Sequence, residues 1–200
     1  MKINEQFVYF GSNTKLKELS NFYECEIEYK GNIYNSVENV YQSLKFNNED
    51  RVRFMKYGDL GGYSGIVKYG KIFYGGKKSD EELNKKMEYW RKRKCIGIIA
   101  KLSSNEKYSK KLGLTFNSEY DSEFKRELIF KEILKIKYKN EKFKDILKKT
   151  NDNKLIEFGR SCKRLYEKGV NDKWCGLVDN GILFGENRMG KWLMEIRDIC

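Results

Sequence analysis

Ser36-Val37-Glu38-Asn39-Val40-Tyr41-Gln42-Ser43-Leu44-Lys45-Phe46 is the stretch that decides how this chain is read. Val37, Val40, Tyr41 and Leu44 fall at i, i+3, i+4 and i+7, one apolar stripe of a helix. Ser36 is suited to cap it, because its hydroxyl can accept a free N–H of the first turn. The spacing predicts a capped helix over 36–47. Glu38, Gln42 and Lys45 then share another face, since offsets of four and seven return to nearly the same side. A carboxylate, an amide and an amine in line describe a site. They also describe an ordinary solvated Glu–Lys face.

Working outward, short strands are expected at 6–10 and 23–34, the second as a hairpin turning at Gly31-Asn32. The glycine-rich, aromatic stretch 58–76 reads as loops around a tyrosine-rich hairpin. Helical periodicity returns at 79–102, with Ser79 as a cap and Leu83, Met87, Trp90, Ile98 and Ile99 on apolar faces. Residues 104–121 are polar and read as a loop. The stretch 122–150 is the longest helical one, with Phe124, Leu128, Ile129, Ile133, Ile136, Phe143, Ile146 and Leu147 on its stripe and a break near Asn140. A short element follows at 153–167. Met189, Trp192, Leu193 and Ile196 repeat the i, i+3, i+4, i+7 pattern in a last helix. The expected fold is α+β: a mostly helical single domain over 1–200 with a few short strands.

The chain has 200 residues, enough for one domain with a proper core. It contains no apolar run near 18 residues, so no membrane partner is expected. Nor does it begin with the charged–apolar–small pattern of a signal peptide. Its five cysteines are scattered without a C-x-x-C pair, and it has no histidine. A zinc site is therefore not expected, and free thiols in a reducing cytoplasm are the simple reading. Neither metal nor cofactor is implied. The net charge is +12, and it is uneven: residues 1–60 hold 8 basic and 9 acidic residues, the remainder 33 and 20. That asymmetry suits a polyanionic partner, with Arg91-Lys92-Arg93-Lys94 as one basic run. An AT-rich genome would also produce a lysine-, asparagine- and isoleucine-rich chain without proline, with lysines on every solvated face.

A second polar–aromatic segment lies near the other end: Asn171-Asp172-Lys173-Trp174-Cys175-Gly176, then Gly185-Glu186-Asn187-Arg188-Met189-Gly190-Lys191-Trp192-Leu193-Met194. Leu19-Ser20-Asn21-Phe22, the Ser-x-Glu-x-x-Tyr-Gln-x-x-Lys-Phe helix, the Asp172–Gly176 segment and Gly-x-Asn-x-x-Gly-x-x-Leu-Met occur in that order. In this order they resemble the NADAR family, the YbiA-like N-glycosidases, over about residues 10–197. Two departures stand out. Asn39 occupies a position where the family usually has histidine, and Cys175 splits its Trp-Gly pair. The long stretch after Trp90 implies an insertion within about 92–125.

The resemblance implies cleavage of a ribose C1′–N bond. The sugar becomes cationic in the transition state, so a nearby carboxylate stabilises it, and an acid must protonate the departing nitrogen. Glu38 and Asp172 match the family's carboxylates. Asn21, Phe22, Tyr41, Gln42, Trp90, Trp174, Gly185 and Asn187 match positions expected to bind substrate, the tryptophans by stacking on a base. Core packing for Trp90 and a turn role for Asp172 remain open alternatives. Lys45 is a candidate nucleophile: the implied substrates join ribose to an exocyclic amine, the sugar can open to an imine, and a desolvated lysine can form its own Schiff base at C1′. Pairing with Glu38, or gripping a phosphate, would equally explain Lys45. Two substrate types are implied: ADP-ribosyl-guanine on DNA, where the enzyme opposes a cognate ADP-ribosyltransferase toxin, and ribosylated pyrimidine intermediates of riboflavin synthesis. The basic charge favours the DNA substrate. A non-catalytic ADP-ribose or nucleic-acid binding module is the alternative outside enzymes.

Overall fold

A computed structural model describes residues 6–118 and 123–200. In chain order the elements are β1 (Phe7–Phe10), β2 (Ile27–Tyr29), β3 (Asn32–Tyr34), α1 (Val37–Ser43), α2 (Asn48–Arg51), α3 (Ser64–Lys68), α4 (Gly70–Phe73), α5 (Asp80–Lys92), α6 (Ile98–Ser103) and α7 (Glu106–Lys111). There follow α8 (Glu123–Tyr138), α9 (Glu141–Lys148), β4 (Lys154–Glu157), α10 (Arg160–Glu167), β5 (Leu177–Asp179), β6 (Ile182–Phe184) and α11 (Arg188–Ile199). The fold is α+β and mostly helical, as the periodicities predict. The strands form separate two-stranded pairs: β1–β4, β2–β3 and β5–β6. Contacts gather residues 21–137 into one compact unit, and the residues to Ser20 with Tyr138–Cys200 into another.

The 21–137 unit is built around α1. Ser36 Oγ accepts from the Asn39 N–H at 3.1 Å, the predicted cap, worth about 1 kcal/mol. The helix ends earlier than predicted, with Leu44 as its C-cap, so Lys45 lies just beyond the last turn. All seven residues of α1 are buried, because α6 and the hairpin pack around it. Phe46 stacks on Phe54 and Phe116, and Tyr41 meets Phe130 edge-on at 4.6 Å. The β2–β3 hairpin turns one residue earlier than expected. Lys30 and Gly31 are its central residues, at φ 50° and 77°, the double positive φ of a tight hairpin turn.

Two expectations in this unit fail. The 58–76 stretch forms no hairpin; it is short α3 and α4. Its glycines serve close approach rather than turns: a Cβ on Gly61 would sit 1.8 Å from the Met55 carbonyl, and one on Gly70 would sit 2.4 Å from Leu83. Residues 104–118 are not simply loop, because α7 lies there, capped by Asn105 and tied by the Tyr108 hydroxyl donating to the Phe73 carbonyl. Its six residues are too few to display an apolar period. Residues 119–122, part of the expected insertion, lie outside the described residues, as does the side chain of Phe124.

The other unit joins the two chain ends. β1 pairs with β4 in parallel, Phe7 opposite Lys154 and Phe10 opposite Glu157. The break predicted near Asn140 is real: its side chain accepts from Lys142 N–H and caps α9. The element expected at 153–167 resolves into β4 and α10. α11 lies on β4 so closely that a Cβ on Gly190 would stand 2.0 Å from the Leu155 carbonyl. The expectation of five free thiols is corrected here. Cys162 on α10 and Cys175 in the following loop are disulfide-bonded, while Cys25, Cys95 and Cys200 are free. Thirteen positions separate the bonded pair in sequence, but the return of the chain after α10 puts their Cα atoms 6.1 Å apart. Among the described residues, no helix is long and apolar enough to cross a membrane.

Candidate active site

Glu38 is a carboxylate only 2% exposed, on the first turn of α1. Burying a charge without partners is costly, so its hydrogen bonds matter. Gln42, one turn on, donates its amide to Oε1 at 2.6 Å, and Asn21 donates its amide to Oε2. The Glu38 N–H also donates to the Asn21 carbonyl, at 3.0 Å. An ionised carboxylate can only accept, so both amides must turn their NH₂ groups towards it. Their carbonyl oxygens, Asn21 Oδ1 and Gln42 Oε1, are left buried without a donor. The local cluster is therefore rich in acceptors.

Lys45 supplies the complementary group. Its amine lies 5.2 Å from the centre of the Tyr41 ring. Among the described residues no carboxylate comes within ion-pairing distance of it. Burial pushes its pKa down to about 8, the nearby positive charges of Lys101 and Arg126 act the same way, and Glu38 opposes them. A substantial fraction is thus neutral, and nucleophilic, near pH 8. The end of α1 before Lys45 changes how it is positioned, but the Lys45 N–H still closes a turn onto the Gln42 carbonyl at 3.3 Å.

Gly97, which the sequence reading did not single out, makes this packing possible. Its N–H donates to the Phe22 carbonyl, and a Cβ on it would lie 2.7 Å from Glu38 Cβ and 3.2 Å from Phe22 Cα. Its isolated occurrence in Cys95-Ile96-Gly97-Ile98 gave no sequence signal beyond a glycine inside an apolar run. Asn39, in place of the family's histidine, is a staple: it accepts from the Ser36 hydroxyl at 2.5 Å, and its amide is 3.3 Å from the carbonyls of Phe54 and Gly61. Trp90 lies in the same unit on α5, edge-on to Tyr89, with its indole N–H buried and lacking an acceptor.

The remaining predicted residues belong to the other unit. Asp172 is partly exposed, and its Oδ1 accepts from the N–H groups of Trp174 and Cys175, both at 2.8 Å. That is the turn role the sequence left open, and one carboxylate oxygen is occupied by it. Trp174 packs edge-on against Trp192 of α11. Gly185 has φ 87°, and a Cβ there would meet the Cys175 carbonyl at 2.3 Å. Asn187 is buried at φ 50°, accepting from the Glu157 N–H and donating to the Leu155 carbonyl. Its amide stitches α11 to β4, so the Gly-x-Asn-x-x-Gly motif is accounted for by packing. The sequence also missed a cavity of about 410 Å³ in this unit, lined by Cys162, Tyr166, Val170, Asp172, Leu183 and Phe184 among others. Among the described residues, no three His, Cys, Asp or Glu side chains cluster as a metal site.

Together these features describe a mostly helical α+β fold with a buried, amide-held glutamate on its first helix. A solved structure shares this fold: the NMR structure of the E. coli protein YbiA matches over 98% of this chain and 84% of that one, with a TM-score of 0.57 and 17% identity. At such identity the likeness establishes the fold. No family model and no curated protein matches the sequence.

Proposed function

We propose that the protein is an N-glycosidase that hydrolyses the ribose C1′–N bond of an ADP-ribosylated guanine on DNA, acting in the cytoplasm against a DNA ADP-ribosyltransferase. The observation that carries this reading is the buried Glu38 gripped by Asn21 and Gln42, with the lowered-pKa amine of Lys45 seven residues after the glutamate. A desolvated carboxylate beside a cationic sugar gives its largest stabilisation in the transition state.

In this scheme the ribose opens so that C1′ is an imine of the guanine amine. The neutral Lys45 amine adds to C1′, Glu38 carries a proton to the base nitrogen, and the C1′–N bond to guanine breaks. The resulting Lys45 Schiff base is hydrolysed by one water, releasing ADP-ribose and restoring the amine. Exposed Lys92, the last residue of α5, and Lys94 just after it supply positive charge for the DNA backbone.

Two incubations test the proposal: one with an oligonucleotide carrying ADP-ribosylated guanine, the other with ribosylated pyrimidine intermediates of riboflavin synthesis. Product masses are read in both. Release of ADP-ribose with unmodified DNA supports the reading. Turnover of the pyrimidines alone replaces it with the small-molecule glycosidase, and binding without turnover of either substrate replaces it with a binding module.

A further inference from the structure

Lys45, Lys101 and Arg126 converge beside Glu38, and the chemistry proposed above uses only the first of these cations. Packing brings the other two there. α6 lies along α1 with Gly97 against Glu38. The Lys101 N–H donates to the Gly97 carbonyl at 3.1 Å, so Lys101 stands one turn further along α6. α8 is tied to the same place: Phe130 meets the Tyr41 ring edge-on at 4.6 Å, and the Lys45 amine is 5.2 Å from the centre of that ring. Arg126 lies one turn before Phe130 and shares its face of α8. Both charges are close enough to act on the Lys45 amine, with Glu38 as the carboxylate that opposes them.

Like charges gathered in this way repel one another, and a folded chain ordinarily answers them with carboxylates. Lys56, Lys78 and Arg91 of the same unit are answered so, by Glu26, Glu82 and Glu88. Among the described residues Lys101 and Arg126 have no such partner. Glu38 does not serve, because its two oxygens are taken by Gln42 and Asn21. Arg126 is half-buried and Lys101 exposed, which describes a charged pocket open to solvent on one side. A guanidinium fork and an ammonium arriving from different helices suit an anion with oxygens in several directions. A phosphoryl group has that form; a carboxylate offers two oxygens in one plane.

We infer that Lys101 and Arg126 form a phosphoryl site that holds the C5′ phosphate of the ribose whose C1′ is presented to Lys45 and Glu38, so that the protein selects 5′-phosphorylated sugars. The inference rests on the N-glycosidase reading for its choice of a sugar. C1′ and C5′ are the two ends of one short carbon chain. A ribose with C1′ at the Lys45 amine therefore brings its C5′ substituent among the charges that flank that amine. The phosphodiesters of a DNA strand lie on the other side of the scissile bond, beyond the base.

The experiment measures binding of ribose, ribose 5-phosphate and ADP-ribose to the full chain by calorimetry. The wild type is expected to bind at least one phosphorylated sugar roughly 10-fold or more tightly than ribose, the size of one charge-assisted hydrogen bond. Tighter ADP-ribose supports a pyrophosphate at the site, and tighter ribose 5-phosphate a monoester. Lys101→Gln and Arg126→Gln should each remove about 10-fold of that preference without lowering Tm, whereas Lys101→Arg should keep it. Lys111→Gln removes an equal charge at the exposed end of α7 and should leave the preference unchanged. Ribose bound as tightly as both phosphorylated sugars, a full preference in both glutamine variants, or an equal loss in Lys111→Gln would each overturn the inference. Turnover of a ribosylated base with no preference for phosphate would overturn this inference alone. A preference carried by Lys101 and Arg126 in a protein that cleaves neither ribosylated substrate would sustain it and remove the glycosidase reading.

Discussion

Replacing Glu38 by glutamine separates chemistry from scaffolding at the centre of the site. Glu38 accepts from Gln42 on one oxygen and Asn21 on the other. In Glu38→Gln one oxygen becomes an NH₂, which would face another NH₂. The facing amide can relieve this by turning over, so its carbonyl, which lacks a donor in the wild type, becomes the acceptor. The folded state then trades one charge-assisted bond for a neutral one, a loss of about 1 kcal/mol. In a chain of this length that shifts Tm by about 2–4 °C. The transition state, in contrast, loses the full negative charge beside a cationic sugar. A 100-fold drop in turnover corresponds to about 2.7 kcal/mol, the expected minimum. The assay pairs single-turnover hydrolysis of the modified oligonucleotide with calorimetric melting of the same sample. Activity within a few-fold of wild type would refute the reasoning. So would a loss of activity matched by destabilisation of 3 kcal/mol or more, because Glu38 would then be a packing residue.

Lys45→Arg should bind substrate and not turn it over, and borohydride added during wild-type turnover should leave a sugar adduct on the Lys45 peptide; retained activity or no adduct would return the attack to water. Because the neutral amine is the nucleophile and burial holds its pKa at about 8, the rate should rise with pH and level off above about 8, and a flat profile between pH 6 and 9 would exclude that role. Gly97→Ala pushes a methyl against Glu38 and Phe22, and should cut turnover at least ~10-fold; unchanged kinetics would show that the packing there is loose. Reversing Lys92 and Lys94 to glutamate should lower the slope of log affinity against log salt by about 2 for the modified oligonucleotide, and an unchanged slope would leave those lysines as ordinary solvated residues. Reducing the Cys162–Cys175 bond, which closes a short loop, should cost about 3 kcal/mol and be seen as a lower Tm, while Cys175→Ser should melt identically with and without reductant.

Much of the fold was legible because its signals are local. The Ser36 cap, the stripe of Val37, Val40, Tyr41 and Leu44, the Ser79 cap, the Asn140 break and the stripe of α11 each depend on residues within a turn or two. That Glu38 and Gln42 share a face was legible for the same reason, since they are one turn apart on one helix, but that this face is buried rather than solvated was decided by the packing around it. What tertiary structure decided are the features joined across long sequence distances. The pairing of β1 with β4 spans nearly 150 positions, and no local pattern names a strand's partner. That Cys162 meets Cys175, that Gly97 must lack a side chain because Glu38 lies against it, and that a cavity opens beside Asp172 all follow from how the chain returns on itself. The two ends of the sequence looked alike, polar and aromatic. Only the fold separated Asn187, whose amide is spent holding α11 to β4, from Asn21, whose amide holds the glutamate, because a side chain's role is set by the partners that packing brings to it.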